Sequence, residues 1–545
     1  MNQKKILPVL ILALFLFVSF LALGKKIDLA TADLGRHLKN GEIFWQTLKV
    51  PQNNFYSYTQ PDFPFLNHHW GAGVIFFFIQ KLAGWSGLSL FFVALNLGAF
   101  IFFFLAGRRL ADWKLVLFFN LLTIPLLASR PEIRPEALSY FFSALVFYLL
   151  VRFQEDGQKK WLYFLPLIFL IWVNCHIYFF FGLFLLGAFW VEEVLRVVCH
   201  PDDPDNYRGE EACLPVGRVG RARQGSRMRF LASLGMTRVK NLALIGFISV
   251  FATLLNPAGL QGLLFPFQIF QNYGYRVLEN QTFFFLKKII FYPSTIYFEI
   301  LLGLLIFSWC WRIFWLLRRR EKFPFAFFLI SVFISYLGLK AVRNFALFGL
   351  LAPVLIAVNF SSERFNAWLE KKELPVVIIL LITIFVCFFF APHYRGSHGF
   401  GLGLLPDSAR AGQFFREQKI GGPIFNNYDI GGYLIYYLYP PEKVFVDNRP
   451  EAYPADFFQN DYIAAQENDA RWQELDKKYN FNAIFFYRLD LTPWGQNFLI
   501  TRAADLKWRV VFVDEENIIF VKDSVQNKRL IEKYGLPREM FGAKK

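Results

Sequence analysis

What this chain can fold into is set first by its long apolar runs. Ile6–Leu23, Leu88–Ala106, Ala137–Val151, Phe179–Val191, Thr295–Trp311 and Val376–Ala391 are almost wholly hydrophobic. A run of about 18 or more apolar residues reads as a membrane-spanning helix, because hydrocarbon supplies no water to satisfy free backbone groups. The shorter runs span only if tilted or enclosed by protein. At 55% hydrophobic the chain exceeds the about 45–50% of soluble domains, so these runs are not one large buried core.

The net charge of +16 does not point to nucleic acid. Basic residues hold the cytoplasmic loops of membrane proteins in place, and the chain has no Gly-rich phosphate loop, zinc-spaced Cys/His set or RNA-binding signature. Its five Cys (175, 199, 213, 310 and 387) leave residues 392–545 without one, so no disulfide framework supports that part. Lys4-Lys5 precedes the first run as in a signal peptide, but no small-x-small cleavage site follows, which predicts a retained helix.

Placing Lys4-Lys5 inside puts residues 24–86 outside. Further spans are expected at 87–106, 114–128, 135–151, 161–175, 177–195, 241–255, 295–316, 323–340, 345–359 and 375–391, about eleven in all. The inner connections then carry Arg108-Arg109, Arg152, Lys159-Lys160, Arg318-Arg319-Arg320 and Lys371-Lys372, as the positive-inside rule asks. The parity requires 70–83 to be an interfacial helix rather than a span. Residues 196–240, rich in Arg, Gly and charge, read as a largely disordered basic cytoplasmic insertion, or as a segment held on anionic lipid heads.

Beyond about residue 405 short β-rich runs alternate with polar helices. Strands are expected at Pro423–Phe425, Val444–Asp447 and Ala483–Phe486, and a hairpin joins Arg509–Asp514 to Asn517–Lys522 around Glu515-Glu516. The expected fold is therefore an α-helical polytopic membrane module, 1–391, followed by an extracytoplasmic α/β domain, 392–545. The N-terminus is expected in the cytoplasm.

Polar residues gather in the predicted outer segments. Asp33, Arg36, His37 and Asn40 share one helix face by their spacing, and a carboxylate just past a span suits a general base at the membrane surface. The same spacing also describes an interfacial helix whose polar face is simply hydrated. His68-His69 ends the same loop. In the second outer loop Arg130, Glu132, Arg134 and Glu136 stand close together; Arg clamps phosphate oxygens, while Arg–Glu pairs beside two prolines also merely end helices. Asn174 with His176, and Arg343 with Asn344, lie at other outer helix ends, where ionisable groups are paired or functional.

Together the architecture and the Asp-bearing first outer loop resemble the GT-C superfamily of membrane glycosyltransferases, over most of the chain outside 196–240. In that superfamily an early acidic residue of the first outer loop is a catalytic or metal-binding carboxylate, and Asp33 occupies its place. The second acidic position follows the third span; Arg134-Pro135-Glu136-Ala137-Leu138 matches its setting with Glu for Asp. Asn174 and His176, Asn256-Pro257-x-Gly259 and Arg343-Asn344 look like features of bacterial members. Asn427-Tyr428-Asp429-Ile430-Gly431-Gly432, followed by Val446-Asp447-Asn448-Arg449, is similar to the Trp-Trp-Asp-Tyr-Gly region of oligosaccharyltransferases, with both Trp absent.

The resemblance implies transfer of a sugar from a polyprenyl-phosphate carrier to a glycan, lipid or protein acceptor at the outer face of the bilayer, with inversion. Asp33, Glu136 and His37 are the implied catalytic residues, and Arg343, Arg130 and Arg134 bind the donor phosphate. His68, His69, His176 and Asn174 orient the acceptor. A divalent metal, Mg2+ or Mn2+, is the one cofactor in question, and no complete ligand set specifies it. Transfer from a diphosphate-linked glycan by an oligosaccharyltransferase-like enzyme, and a non-enzymatic lipid-linked sugar flippase, are the alternatives.

Overall fold

A computed structural model describes residues 3–130, 132–199, 221–268, 271–289, 293–319, 322–395 and 399–541. The chain is mostly helical. In the membrane module run α1 (Gln3–Leu23), α2 (Leu34–Thr47), α3 (Trp70–Leu110), α4 (Trp113–Asn120), α5 (Thr123–Ala128), α6 (Glu136–Asp156), α7 (Leu165–Cys175) and α8 (Phe179–Cys199). They are followed by α9 (Arg221–Thr253), α10 (Leu260–Leu264), α11 (Phe283–Ile289), α12 (Pro293–Arg319), α13 (Phe325–Lys340), α14 (Phe345–Phe360), α15 (Glu363–Lys371) and α16 (Glu373–Arg395).

Among the described residues seven helices are long and apolar enough to cross a membrane: α1, α3, α6, the Gly235–Thr253 part of α9, α12, Val342–Phe360 and Glu373–Phe390. Trp113–Ala128 and α13 are shorter apolar stretches. The expected spans at 161–175 and 177–195 are helical as well, α7 being short and α8 carrying Glu192, Glu193 and Arg196 on its last turns. Those charges pair with each other, Arg196 reaching Glu192 at 3.0 Å and Glu193 at 3.2 Å. The Val342–Phe360 span is 89% buried and forms the centre, while Glu373–Phe390 is 17% buried and turns apolar side chains such as Phe385 and Phe389 outward. A large outward apolar surface of this kind is what hydrocarbon requires.

Residues 70–83 continue into α3, but the helix breaks at Gly84 (φ 66, ψ −168). A residue without a Cβ adopts that conformation without strain, so the first segment takes its own direction before the span begins. The supposed disordered insertion is helical where described: α8 runs to Cys199 and α9 begins at Arg221. Extending an existing span costs far less than nucleating a new helix, and the Arg-, Leu-, Ala- and Met-containing sequence there propagates well. Residues 200–220 lie outside the described residues.

The C-terminal domain is built on a four-stranded sheet in the order β1-β2-β4-β3, with β1 (Ile424–Asn426), β2 (Ala483–Tyr487), β3 (Trp508–Val513) and β4 (Asn517–Lys522). β1 and β2 are parallel, β2 and β4 antiparallel, and β3–β4 is the expected hairpin. Val444–Asp447 is not a sheet strand. Its hydrogen-bonding groups go instead to the first outer loop, Val444 N donating to Tyr56 O at 3.0 Å and Tyr58 N to Val444 O at 3.2 Å. The domain is stitched to that loop again where Ile27 N donates to Gly403 O at 2.8 Å and Leu405 N to Ile27 O at 2.8 Å. Buried Arg449 pairs with Asp447 at 2.6 Å, bonds Asn54 and lies over the rings of Tyr56 and Phe65. The domain therefore sits directly over the end of the bundle where the polar groups collect.

Candidate active site

Asp33 stands at the N-cap position of α2, yet its side chain caps no backbone N–H. An Asp in that position ordinarily accepts from the second or third residue of the helix; here the carboxylate is left to the site. Its nearest cations are Arg36 at 3.8 Å and Arg134 at 3.9 Å, contacts too long for hydrogen bonds. Burial raises its pKa above the ordinary aspartate value, against the pull of the two guanidiniums.

Beside Asp33 three guanidiniums interlock with two carboxylates. Glu136, first residue of α6 and started by Pro135, receives Arg130 Nη2 at 2.8 Å and Arg343 Nη2 at 2.7 Å. Glu279 receives Arg130 Nη1 at 2.7 Å and Arg134 Nη1 at 2.8 Å, with Arg343 3.7 Å away. Arg343 Nη1 also donates to Asn280 Oδ1 at 2.9 Å, and Arg134 lies 3.1 Å from Glu132. Arg343 projects from the short turn Val342–Asn344 between α13 and α14; Asn344 Nδ2 ties that turn to Leu337 O at 2.7 Å, and Tyr178 bonds Asn344 Oδ1. Burying so many charges is tolerable only because each has a partner. Two donors are left over: among the described residues Arg130 Nε and Arg134 Nε are buried without a hydrogen-bond acceptor.

The histidines form a separate stack. His37 and His69 have ring centroids 5.3 Å apart, His68 and His69 3.8 Å, and His69 and His176 5.2 Å. Four of the chain's seven His are thus in one column. His176 Nδ1 is 2.8 Å from Ser139 Oγ, which also accepts from Trp172 Nε1 at 2.7 Å. Burial pushes His37 and His69 well below the usual imidazole range and His68 to about 3, so all three are neutral at pH 7. Among the described residues His37 Nδ1 is buried without a hydrogen-bond partner.

The residues assigned catalytic, phosphate-binding or acceptor roles in the sequence lie in this region, in distinct arrangements. Asp33, Arg130, Arg134, Glu136 and Arg343 are brought together. His37, His68, His69 and His176 stack beside them. Asn174 is turned to structural use, its Oδ1 accepting from Trp70 Nε1 at 2.9 Å and its Nδ2 donating to Leu170 O and Leu255 O. Glu136, almost fully enclosed, holds Arg130 and Arg343 rather than facing open space.

Glu279 escaped sequence reasoning. It sits in the turn Leu278–Asn280, and a signal existed: no other Asp or Glu occurs between Glu211 and Glu299. Its loop is anchored to the C-terminal domain. Gly274 takes φ +78 with its Cα against Ala455, Gln459 Nε2 donates to Gly274 O at 2.7 Å, and Tyr275 stacks on Tyr428 at 4.2 Å. From the same domain Asp429 also faces the site. Burial, with Asp490 and Asp33 nearby, pushes its carboxyl up to about 7.

The architecture matches solved membrane enzymes. The oligosaccharyltransferase of Archaeoglobus fulgidus, solved with a tethered acceptor peptide containing an NVT sequon, superposes with a TM-score of 0.58 at 11% identity, over 96% of this chain and 75% of that one. The oligosaccharyltransferase AglB from Archaeoglobus fulgidus, in complex with an inhibitory peptide and a dolichol-phosphate, matches at 0.58 and 12%, over 94% and 74%. Apo ArnT from Cupriavidus metallidurans matches at 0.51 and 13%, over 95% of this chain and 98% of that one. No protein-family model and no curated protein matches the sequence. The chain therefore has the fold of the GT-C superfamily of membrane glycosyltransferases: a polytopic helical module with a small C-terminal sheet domain.

Proposed function

We propose that this protein is a membrane glycosyltransferase that moves a sugar from a polyprenyl-phosphate carrier to an acceptor hydroxyl at the outer face of the membrane, with inversion at the anomeric carbon. The observation that carries this reading is the convergence of Arg130, Arg134 and Arg343 beside Asp33, with Arg130 Nε and Arg134 Nε lacking a hydrogen-bond acceptor among the described residues. Asp33 takes the proton of the acceptor hydroxyl, whose oxygen attacks the anomeric carbon. The carbon–oxygen bond to the carrier breaks, and its electron pair leaves with the polyprenyl phosphate. The guanidiniums stabilise that leaving phosphate, an electrostatic effect that is large in a preorganised, partly dehydrated site. Glu136 and Glu279 position the guanidiniums, and the neutral His column forms the wall beside them.

The orientation follows from charge. Arg109 and Arg152 lie at the opposite ends of α3 and α6 from Glu136, Arg109 pairing with Glu155 and Arg152 with Asp156. The positive-inside rule assigns that end to the cytoplasm and the catalytic end to the outside.

This reading routes no step through a divalent metal. Glu136 and Glu279 are engaged by guanidiniums, which leaves Asp33 as the one carboxylate of the cluster without a hydrogen-bonded cation. Chelation with EDTA is expected to leave turnover unchanged.

A second reading is transfer from a diphosphate-linked glycan by an oligosaccharyltransferase-like enzyme, whose fold this chain shares. The deciding experiment incubates wild type and Asp33→Asn with radiolabelled polyprenyl-phosphate sugars, diphosphate-linked glycans and a cell-envelope acceptor fraction. Label transfer with release of polyprenyl phosphate by wild type alone is expected. Equal activity of both proteins removes Asp33 from the mechanism, and turnover of diphosphate-linked donors alone favours the second reading.

A further inference from the structure

Gly431-Gly432 and Asp447-Asn448-Arg449 of the C-terminal domain take no part in the reaction steps above, yet they meet the first turn of α2. Gly431 opens the helix Gly431–Leu438 and packs on Asp447, since a Cβ on it would lie 2.4 Å from Asp447 Cα. A Cβ on Gly432 would lie 3.0 Å from the carbonyl oxygen of Ala32, the residue before Asp33. One on Gly35 would lie 2.6 Å from Gly432 O. Two backbones approach this closely only through residues without a Cβ. Asp447 is fixed in turn by Arg449 and by the Tyr453 hydroxyl, which donates to it at 3.0 Å. Asn448, between the buried Asp447 and Arg449, is thereby presented to α2 from a firm support.

Its side chain takes hold of Arg36. Arg36 Nε donates to Asn448 Oδ1 at 3.3 Å, which among the described residues is the one hydrogen bond of that guanidinium. Arg36 is 4% exposed, and its Nη2 stops 3.8 Å from Asp33 Oδ1. The other cation facing Asp33 is restrained in the same way. Arg134 Nη1, 3.9 Å from Asp33 Oδ2, donates to Glu279 at 2.8 Å. Each oxygen of Asp33 thus has beside it a guanidinium that is tethered elsewhere. The remaining charged groups around it, Glu132, Glu279 and, from the C-terminal domain, Asp429 and Glu451, are carboxyl groups. A movement of about 1 Å would bring Arg36 to the about 2.8 Å of a charge-assisted hydrogen bond. Attraction between opposite charges in a poorly hydrated site favours that step. It would occupy a lone pair of the carboxylate and make it a weaker base.

We propose that Asn448 is a positioning residue for catalysis: by holding Arg36 Nε it keeps the guanidinium out of hydrogen-bond reach of Asp33, whose carboxylate stays free to take the acceptor proton. The Gly431-Gly432 and Asp447-Asn448-Arg449 segments then serve the reaction without touching substrate. The proposal rests on the glycosyl-transfer reading, in which Asp33 is the base.

The test is a double-mutant cycle on the full-length protein in nanodiscs, supplied with polyprenyl-phosphate glucose, mannose or arabinose and a cell-envelope acceptor fraction. Asn448→Leu, close in size to the amide, is made in wild type and in Arg36→Met; Asn448→Ala takes its place if the leucine variant does not fold. In wild type the substitution is expected to lower kcat about tenfold and to leave the donor KM within about two-fold. In Arg36→Met it is expected to change kcat by less than about two-fold, since no guanidinium remains there to close on Asp33. An equal loss in both backgrounds, or no loss in wild type, overturns the proposal. Thermal melts give a readout that needs no turnover. Asp33→Asn is expected to lower the melting temperature by about 3 °C more in Asn448→Leu, where it breaks a direct ion pair, than in wild type, where the contacts are long. The same shift in both also overturns the proposal. If wild type transfers sugar from none of the donors while the melts behave as expected, the glycosyl-transfer reading fails and the Asn448–Arg36 tether stands.

Discussion

Replacing Glu279 by Gln removes one negative charge from a site where three guanidiniums already crowd together, and the structure sets the size of the effect. Glu279 lies 2.7 Å from Arg130, 2.8 Å from Arg134 and 3.7 Å from Arg343. At an effective dielectric of about 20, each of the two short contacts is worth about 6 kcal/mol before desolvation. The net cost of breaking a buried pair by removing one partner is about 3–5 kcal/mol, and Gln, which keeps an acceptor oxygen, falls at the low end. A second route agrees. The arginines overcome the opposing effect of burial and hold the carboxyl at about 2 instead of 4.5, which at about 1.4 kcal/mol per tenfold is about 3 kcal/mol. Because the folded-state pKa is depressed, wild type has this stabilisation above pH 4.5 and loses it as pH falls toward 2, whereas Glu279→Gln lacks it throughout. The same carboxylate competes with any phosphate for Arg130 and Arg134. Glu279→Gln is therefore expected to lower the melting temperature at pH 7 and to bind polyprenyl phosphate about tenfold more tightly, each tenfold being about 1.4 kcal/mol. Thermal melts and titrations in nanodiscs read both. A variant that is less stable but binds the phosphate no more tightly refutes the competition, and with it the placing of the phosphate on these two guanidiniums.

The raised Asp33 pKa predicts that the acid limb of kcat/KM lies above the usual aspartate range, activity falling as pH drops through it. A limb at or below 3.8 counts against Asp33 as base. Asp33→Asn is expected to cut kcat by about 10²–10⁴ while changing stability by at most about 1 kcal/mol, since it breaks only long, partly exposed ion contacts. Asp429, held at about 7 rather than 3.8, destabilises the fold increasingly as pH rises from 4 to 7, by up to about 4 kcal/mol and by less where solvent screens it. Asp429→Asn is expected to raise the melting temperature at pH 8 and not at pH 4; the same gain at both values contradicts this. Gly274→Ala forces a Cβ to 2.0 Å from Ala455 O at φ +78, so a loss of about 1–3 kcal/mol is expected, with kcat/KM falling as the Glu279 loop shifts. An unperturbed kcat/KM in a destabilised variant separates that loop from catalysis.

Much of the candidate site is legible because lipid simplifies the problem. An ionisable residue at the end of an apolar run is costly there unless paired or used, and this singles out Asp33, Arg130, Arg134, Glu136, His176 and Arg343 before any contact is known. Their partners are less legible. Glu279 comes from a loop without apolar periodicity, 145 positions from Arg134 in the chain, and only folding reveals the pair. Asn174 and His176 are two positions apart, yet the backbone at the end of α7 directs one to Trp70 and the other to Ser139.

The sequence by itself determined the membrane class, the positions of the apolar helices, the β3–β4 hairpin and the end of the bundle where polar groups collect, since each follows from local hydrophobic period and charge. Tertiary structure alone decided that Val444 pairs with the first outer loop rather than joining the sheet, that Glu279 completes the arginine cluster, and that Gln459 and Tyr428 of the C-terminal domain hold the Glu279 loop. These are contacts between segments far apart in the chain. No local pattern encodes them, because their energy comes from burying polar groups that find partners only when the bundle and its covering domain close together.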